Sequence, residues 1–187
     1  TTHRIDAVLT AGAEYTLHEV SAPDGYCVAA DQKFTVNADG SLTNVKLTNL
    51  STKVQISKTT ITGDTELEGA KLEVRDLSGN ALDSWTSGKE AHMITAKLTA
   101  GQTYVLHETA APNGYVVSND IEFTVNADGT VTKVIMKDDT TKVEISKKAE
   151  NGLPLSGAKM QLLDKYGKEV DAWTTDGKAH TLSLIHI

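Results

Sequence analysis

The chain is 187 residues long, with 39% hydrophobic and 23% charged residues, which is room for one ordinary domain or two small ones with modest cores. Its 18 Lys and Arg stand against 25 Asp and Glu for a net charge of −7; the basic residues are scattered singly, which argues against a nucleic-acid partner, and no apolar run of about 20 residues suggests a membrane-spanning helix. Only 3 Pro accompany 14 Gly, and Thr, Val and Ala recur throughout, a balance that favours short strands joined by glycine turns.

The opening Thr1-Thr2-His3 has no initiator Met and no charged-then-apolar leader, so it reads as an internal piece or a processed product. The single cysteine, Cys27, has no internal disulfide partner and no Cys-x-x-Cys neighbour for zinc or redox work, and reads as a free thiol in a loop. An extracellular protein of this composition needs a staple other than disulfides.

An internal repeat organises the chain. Leu9-Thr10-Ala11-Gly12 and Tyr15-Thr16-Leu17-His18-Glu19 return as Leu98-Thr99-Ala100-Gly101 and Tyr104-Val105-Leu106-His107-Glu108. The same offset carries Ala22-Pro23-Asp24-Gly25-Tyr26 onto Ala111-Pro112-Asn113-Gly114-Tyr115, and Lys53 to Lys58 onto Lys142 to Lys147. A further echo links Leu67-Glu68-Gly69-Ala70-Lys71 to Leu155-Ser156-Gly157-Ala158-Lys159, and Trp85 to Trp173. The repeat therefore predicts the C-terminal part of one unit over 1–52, a complete unit over 53–141 and the N-terminal part of a third over 142–187. A unit of about 90 residues is too long for a solenoid and suits a small sandwich domain. The links Leu50-Ser51-Thr52 and Asp139-Thr140-Thr141 are short enough to make the array a semi-rigid rod.

In the complete unit, alternation predicts strands at 53–57, 70–75, 81–86, 92–98, 103–109, 121–125 and 130–137, an all-β sandwich of Ig-like type. Turns are expected at Thr62-Gly63-Asp64, Ser78-Gly79-Asn80, Ala100-Gly101 and Asp128-Gly129. The segments Asn37-Ala38-Asp39-Gly40 and Asn126-Ala127-Asp128-Gly129 lack the carboxylates of a calcium loop and read as hairpin turns. The ending Leu182 to Ile187 departs from the repeat and reads as non-native, a translated adapter remnant.

Side chains two apart share a face of a strand. Val54, Ile56 and Lys58 therefore point one way, as do Tyr104, Leu106 and Glu108, and Val134, Met136 and Asp138. Each inward row ends in an ionisable residue. Charges buried singly cost several kcal/mol each, so these three meet if they are inside. Two outcomes stay open: the groups are solvated at frayed strand ends or form a buried ion cluster, or they react. In an apolar pocket an uncharged amine beside a neutral carboxylic acid can attack the Asp138 carbonyl, with Glu108 shuttling protons, to leave a side-chain amide.

The succession Lys142-Val143-Glu144-Ile145-Ser146-Lys147, Leu155-Ser156-Gly157-Ala158-Lys159, Tyr104-Val105-Leu106-His107-Glu108 and Ala111-Pro112-Asn113-Gly114-Tyr115 resembles the Cna protein B-type, or SpaA-type pilin, prealbumin-like domain over nearly the whole chain. The resemblance implies autocatalytic isopeptide bonds between a first-strand Lys and a last-strand Asn or Asp, promoted by the Glu of the Tyr-x-Leu-x-Glu box. Carried over, Lys58 is the nucleophile, Glu108 the catalytic acid and Asp138 the acceptor. Glu19 and Asn49 match in the first partial unit without a Lys, and Lys147 matches in the third without its partners, a set that two chains joined head to tail would complete. Such a bond closes a loop of nearly the whole unit, for which chain entropy gives about 4 to 5 kcal/mol.

Other signals carry less. His18 and His107 precede Glu without a second His at zinc spacing and point outward; His3, His92 and His180 recur at a strand start as structural residues. Leu153-Pro154-Leu155-Ser156-Gly157 is only superficially a sortase signal, with neither the apolar stretch nor the basic tail. Trp85 and Trp173 read as packing residues, with a carbohydrate platform as the alternative. The resemblance implies a non-enzymatic stalk segment of a cell-wall-anchored adhesin or pilin of a Gram-positive surface, without cofactor or metal. Its partners are neighbouring domains of the same protein and, through regions outside this sequence, a sortase-assembled pilus or the cell wall. The rival is a module that recognises a host protein or carbohydrate, which needs an exposed aromatic or concave patch; a hydrolase with paired carboxylates is disfavoured because the acids share inward faces with a Lys.

Overall fold

The computed structural model describes residues 3–6 and 8–182, so the anomalous ending lies, from 183 onward, outside the described residues. Among those described, every regular element is a strand. In chain order they are β1 (Glu14–Leu17), β2 (Gln32–Thr35), β3 (Lys53–Thr60), β4 (Lys71–Arg75), β5 (Ala81–Thr86), β6 (His92–Thr95), β7 (Thr103–Ala110), β8 (Ile121–Thr124), β9 (Val131–Asp138), β10 (Glu144–Ile145), β11 (Ser156–Leu163), β12 (Glu169–Asp176) and β13 (His180–Thr181).

Residues 53–138 form two sheets. One has the order β6-β3-β9, with β3 antiparallel to β6 and parallel to β9; the other has the order β5-β4-β7-β8 and is antiparallel throughout. The alternation that predicted the strands also builds the core. Val54, Ile56, Ile94, Val134 and Met136 from the first sheet and Leu72, Val74, Tyr104, Leu106 and Phe123 from the second form one buried cluster. Packing two inner faces in this way makes a sandwich, and truncating a fully buried member such as Leu106 to Ala costs about 2 to 5 kcal/mol.

Three local expectations are revised. β3 continues through Lys58 to Thr60 and β9 through Asp138, so the ionisable residues lie within regular strands rather than at frayed ends. β6 stops at Thr95 rather than 98 because Ala96 has φ of 52°, a left-handed conformation that breaks an extended strand. The Asn126 to Gly129 turn is not a β-hairpin, since β8 and β9 lie in different sheets. It carries the chain across the sandwich, and Asp128 Oδ1 accepts from Thr130 N–H and Oγ–H at 2.9 and 2.6 Å, the side chain supplying the turn's hydrogen bonds.

The flanking segments hold corresponding pairs. β1 pairs with β2 as β7 does with β8, and β11 with β12 as β4 does with β5. The short link before β3 is tied down: buried Thr52 donates its N–H to Gly25 O at 2.9 Å and its hydroxyl to Leu98 O at 2.7 Å. Gly25, at φ of 82°, sits so close that a Cβ there would stand 2.4 Å from Ala96 O. The next link repeats the first bond, Thr141 N–H donating to Gly114 O at 2.8 Å.

Candidate functional site

The site forms where the first and last strands of the sandwich run side by side. In the parallel register of β3 and β9, Lys58 lies opposite Met136 and Thr60 opposite Asp138, so the side chain of residue 138 projects two positions beyond Met136 on the face that Lys58 shares. Glu108 arrives from the opposite sheet. It pairs with Leu72 on β4, while Lys71 pairs with Ala110, leaving Thr109 as the extra residue of a bulge; bulges of this kind re-aim neighbouring side chains.

The three predicted residues meet. Lys58 Nζ lies 3.1 Å from Glu108 Oε2 and is hydrogen-bonded to Asp138 Oδ1. Lys58, Glu108 and Asp138 are 1%, 1% and 0% exposed, which removes the solvated outcome. Burial raises the pKa of the Glu108 carboxyl, against the opposing hydrogen bonds from Ser118 N–H and Lys58, and the Asp138 charge pushes in the same direction as burial. Two buried oxygens, Glu108 Oε1 and Asp138 Oδ2, have no hydrogen-bond partner. Asp139 turns the other way, to Lys142 Nζ at 2.8 Å on the surface, and takes no place in the cluster.

Sequence reasoning missed Ser118. Its N–H donates to Glu108 Oε2 at 2.7 Å, and its hydroxyl lies 2.7 Å from Asp138 Oδ1 and 2.5 Å from Lys137 O. It sits in the irregular stretch between β7 and β8, where no strand period marks a residue as inward.

Two of the remaining candidates also come together. Asn49 Nδ2 donates to Glu19 Oε2 at 2.5 Å and to Cys27 O at 3.0 Å, while Ala29 N–H donates to the same Glu19 oxygen at 2.6 Å. Ala29 thus occupies the place that Ser118 holds in the central unit. Among the described residues, Lys147 is exposed and makes no side-chain bond to the residues of either cluster, so it is not brought together with Glu19 and Asn49. Cys27 is free and buried. Trp85 stacks on His92 with centroids 4.1 Å apart, and Trp173 on His180 at the same distance; His107 and His18 pair with Asp120 and Asp31. No group of His, Cys, Asp or Glu among the described residues is arranged to hold a metal ion.

The chemistry available here is that of an amine between two carboxyl groups in a water-free core. A low-dielectric interior disfavours separated charges in such a cluster. A neutral amine against a neutral acid is the reactant pair for amide formation.

The sandwich and its enclosed Lys-acid cluster define the class: an all-β structural module whose buried ionisable groups lie between the sheets rather than in an open cleft. The chain belongs to the SpaA prealbumin-like fold domain family, whose model matches residues 5–51 and 52–140, and this is a family of structural domains rather than enzymes. Among solved structures, the TIE protein of Bacillus anthracis is 24% identical with a TM-score of 0.55, covering 91% of this chain and 34% of its own, which shows a shared fold. BcpA, the major pilin subunit of Bacillus cereus, is 24% identical at a TM-score of 0.43, covering 51% of this chain and 31% of its own. The shaft pilin SpaA of Lactobacillus rhamnosus GG is 17% identical at 0.40, covering 68% and 64%. The chain thus spans about a third of the first two proteins' lengths. No curated protein sequence matches it.

Proposed function

We propose that this chain is a load-bearing segment of a Gram-positive surface stalk or pilus shaft, extracellular and attached to the cell wall through other parts of its parent protein. Its central unit, 53–141, is locked by an isopeptide bond between Lys58 and Asp138, and partial units of the same kind flank it over 1–52 and 142–187. The observation that carries this reading is the approach of Lys58 Nζ to both Asp138 Oδ1 and Glu108 Oε2 inside the core. Lys58 is the nucleophile, Asp138 the acceptor and Glu108 the proton carrier. The lone pair of the amine attacks Asp138 Cγ, one carboxyl oxygen leaves as water, and an amide remains. The reaction runs once per molecule.

Support also comes from where the bond would act. The two residues are 80 positions apart, so the link would close a loop worth about 4 to 5 kcal/mol of unfolded-chain entropy. It would serve as the staple that a chain with one cysteine lacks. The test is the intact mass of the denatured chain beside Lys58→Ala and Glu108→Ala. A deficit of one water, about 18 Da, is expected in the parent and in neither variant; a folded parent at full mass would leave an ion cluster and refute the bond.

A further inference from the structure

Resting on that reading, we infer that Ser118 is a further catalytic residue of the bond-forming reaction: its hydroxyl holds Asp138 Oδ1, the oxygen that the amide retains. Ser118 has one hydroxyl proton and two acceptors within reach, Lys137 O at 2.5 Å and Asp138 Oδ1 at 2.7 Å. In the resting protein the two share it. When the amine of Lys58 attacks Cγ, the Cγ–Oδ1 π electrons move onto Oδ1, and the growing charge draws the proton toward that oxygen. An interaction that strengthens only as charge develops lowers the barrier rather than merely holding the reactant. The backbone N–H of the same residue anchors Glu108 Oε2 at 2.7 Å, so one loop residue touches both carboxyl groups.

The two oxygens of Asp138 differ in their surroundings. Oδ1 has Ser118 and Lys58, whereas Oδ2 is buried with no partner. The two oxygens of a carboxylate are chemically equivalent and either can take the acid proton, and donation to Oδ1 favours the tautomer with that proton on Oδ2. The balance is then complete: the Nζ–Cγ bond forms, the Cγ–Oδ2 bond breaks, and Oδ2 leaves as water with its own proton and one from Nζ passed through Glu108. Within the same chain, the position equivalent to Ser118 is Ala29, and there the acceptor candidate is the amide Asn49. An amide needs no such selection, because its nitrogen is the leaving atom from the outset; Asn49 Nδ2 already points at Glu19.

The test follows intact mass over time in chains made by a cell-free pulse. Ser118→Ala, which keeps the N–H to Glu108, is expected to slow the loss of water by about tenfold or more, and Ser118→Thr, which keeps a hydroxyl, to stay within about threefold of the parent. In an Asp138→Asn background, where Oδ1 takes the same growing charge but the leaving nitrogen is fixed and ammonia departs, Ser118→Ala should still slow bonding, by less than it does in the parent. Urea unfolding of Lys58→Met with and without Ser118→Ala, neither able to bond, checks that the fold survives the change. A parent rate unchanged by Ser118→Ala, or lost equally in Ser118→Ala and Ser118→Thr, would overturn the assignment while leaving the bond itself intact. A parent chain that never loses water would overturn the bond, and this inference with it.

Discussion

Lys58, Glu108 and Asp138 place one basic and two acidic groups where water does not reach, and proton position becomes the variable that matters. Burial raises Glu108, so the folded protein holds that proton more tightly than the unfolded chain does. The stability it contributes is complete below the ordinary carboxylate range and is lost as pH rises through the folded value. In Lys58→Met, which cannot bond, the urea midpoint should therefore fall as pH rises above the ordinary glutamate value of about 4, and the fall should disappear in Lys58→Met/Glu108→Gln. These three residues were legible in the sequence because a period of two assigns faces without knowing the fold. Ser118 was not, because it lies outside any strand and its counterpart in the repeat, Ala29, lacks a hydroxyl.

At the scale of elements, the open edge of the sandwich is closed by side chains rather than by strand pairing. β5 and β6 are edge strands of different sheets, and Trp85 on one stacks on His92 of the other at an interplanar angle of 12°. Asp83 joins the same cluster, accepting from His92 at 2.8 Å and Lys97 at 2.7 Å. The third segment repeats the stack with Trp173, His180 and Asp171. The recurrence of Trp and His was visible in the sequence, but their contact depends on how the two sheets face each other. His92→Ala should lower stability by about 1 kcal/mol in urea unfolding of the Lys58→Met background, from loss of the aromatic pair, and should leave the parent's mass deficit unchanged.

Across the whole molecule, the position of the proposed bond decides what tension meets. A pull on the two ends of the 53–138 sandwich would enter at Lys53 and leave at Asp138, opposite ends of two parallel neighbours. The unbonded pair would be loaded in shear along its hydrogen-bond ladder. With Lys58 joined to Asp138, the load crosses from one strand to the other and bypasses everything between them. Single-molecule stretching should then show no extension of this unit in the parent. Lys58→Met should release a length approaching about 270 Å, the reach of 80 residues of extended chain. The same full release in the parent would refute the load-bearing reading.

The repeat, the strand faces and the family were decided by the sequence alone, because alternation and recurrence are local properties that survive without coordinates. Which oxygen of Asp138 is held, that β3 and β9 run parallel, that Glu108 reaches the cluster beside a bulge in the opposite sheet, and that a serine from an irregular stretch completes the site were decided only by the tertiary structure. Each of these depends on the register and separation of segments far apart in the chain, which no pattern within a single strand encodes.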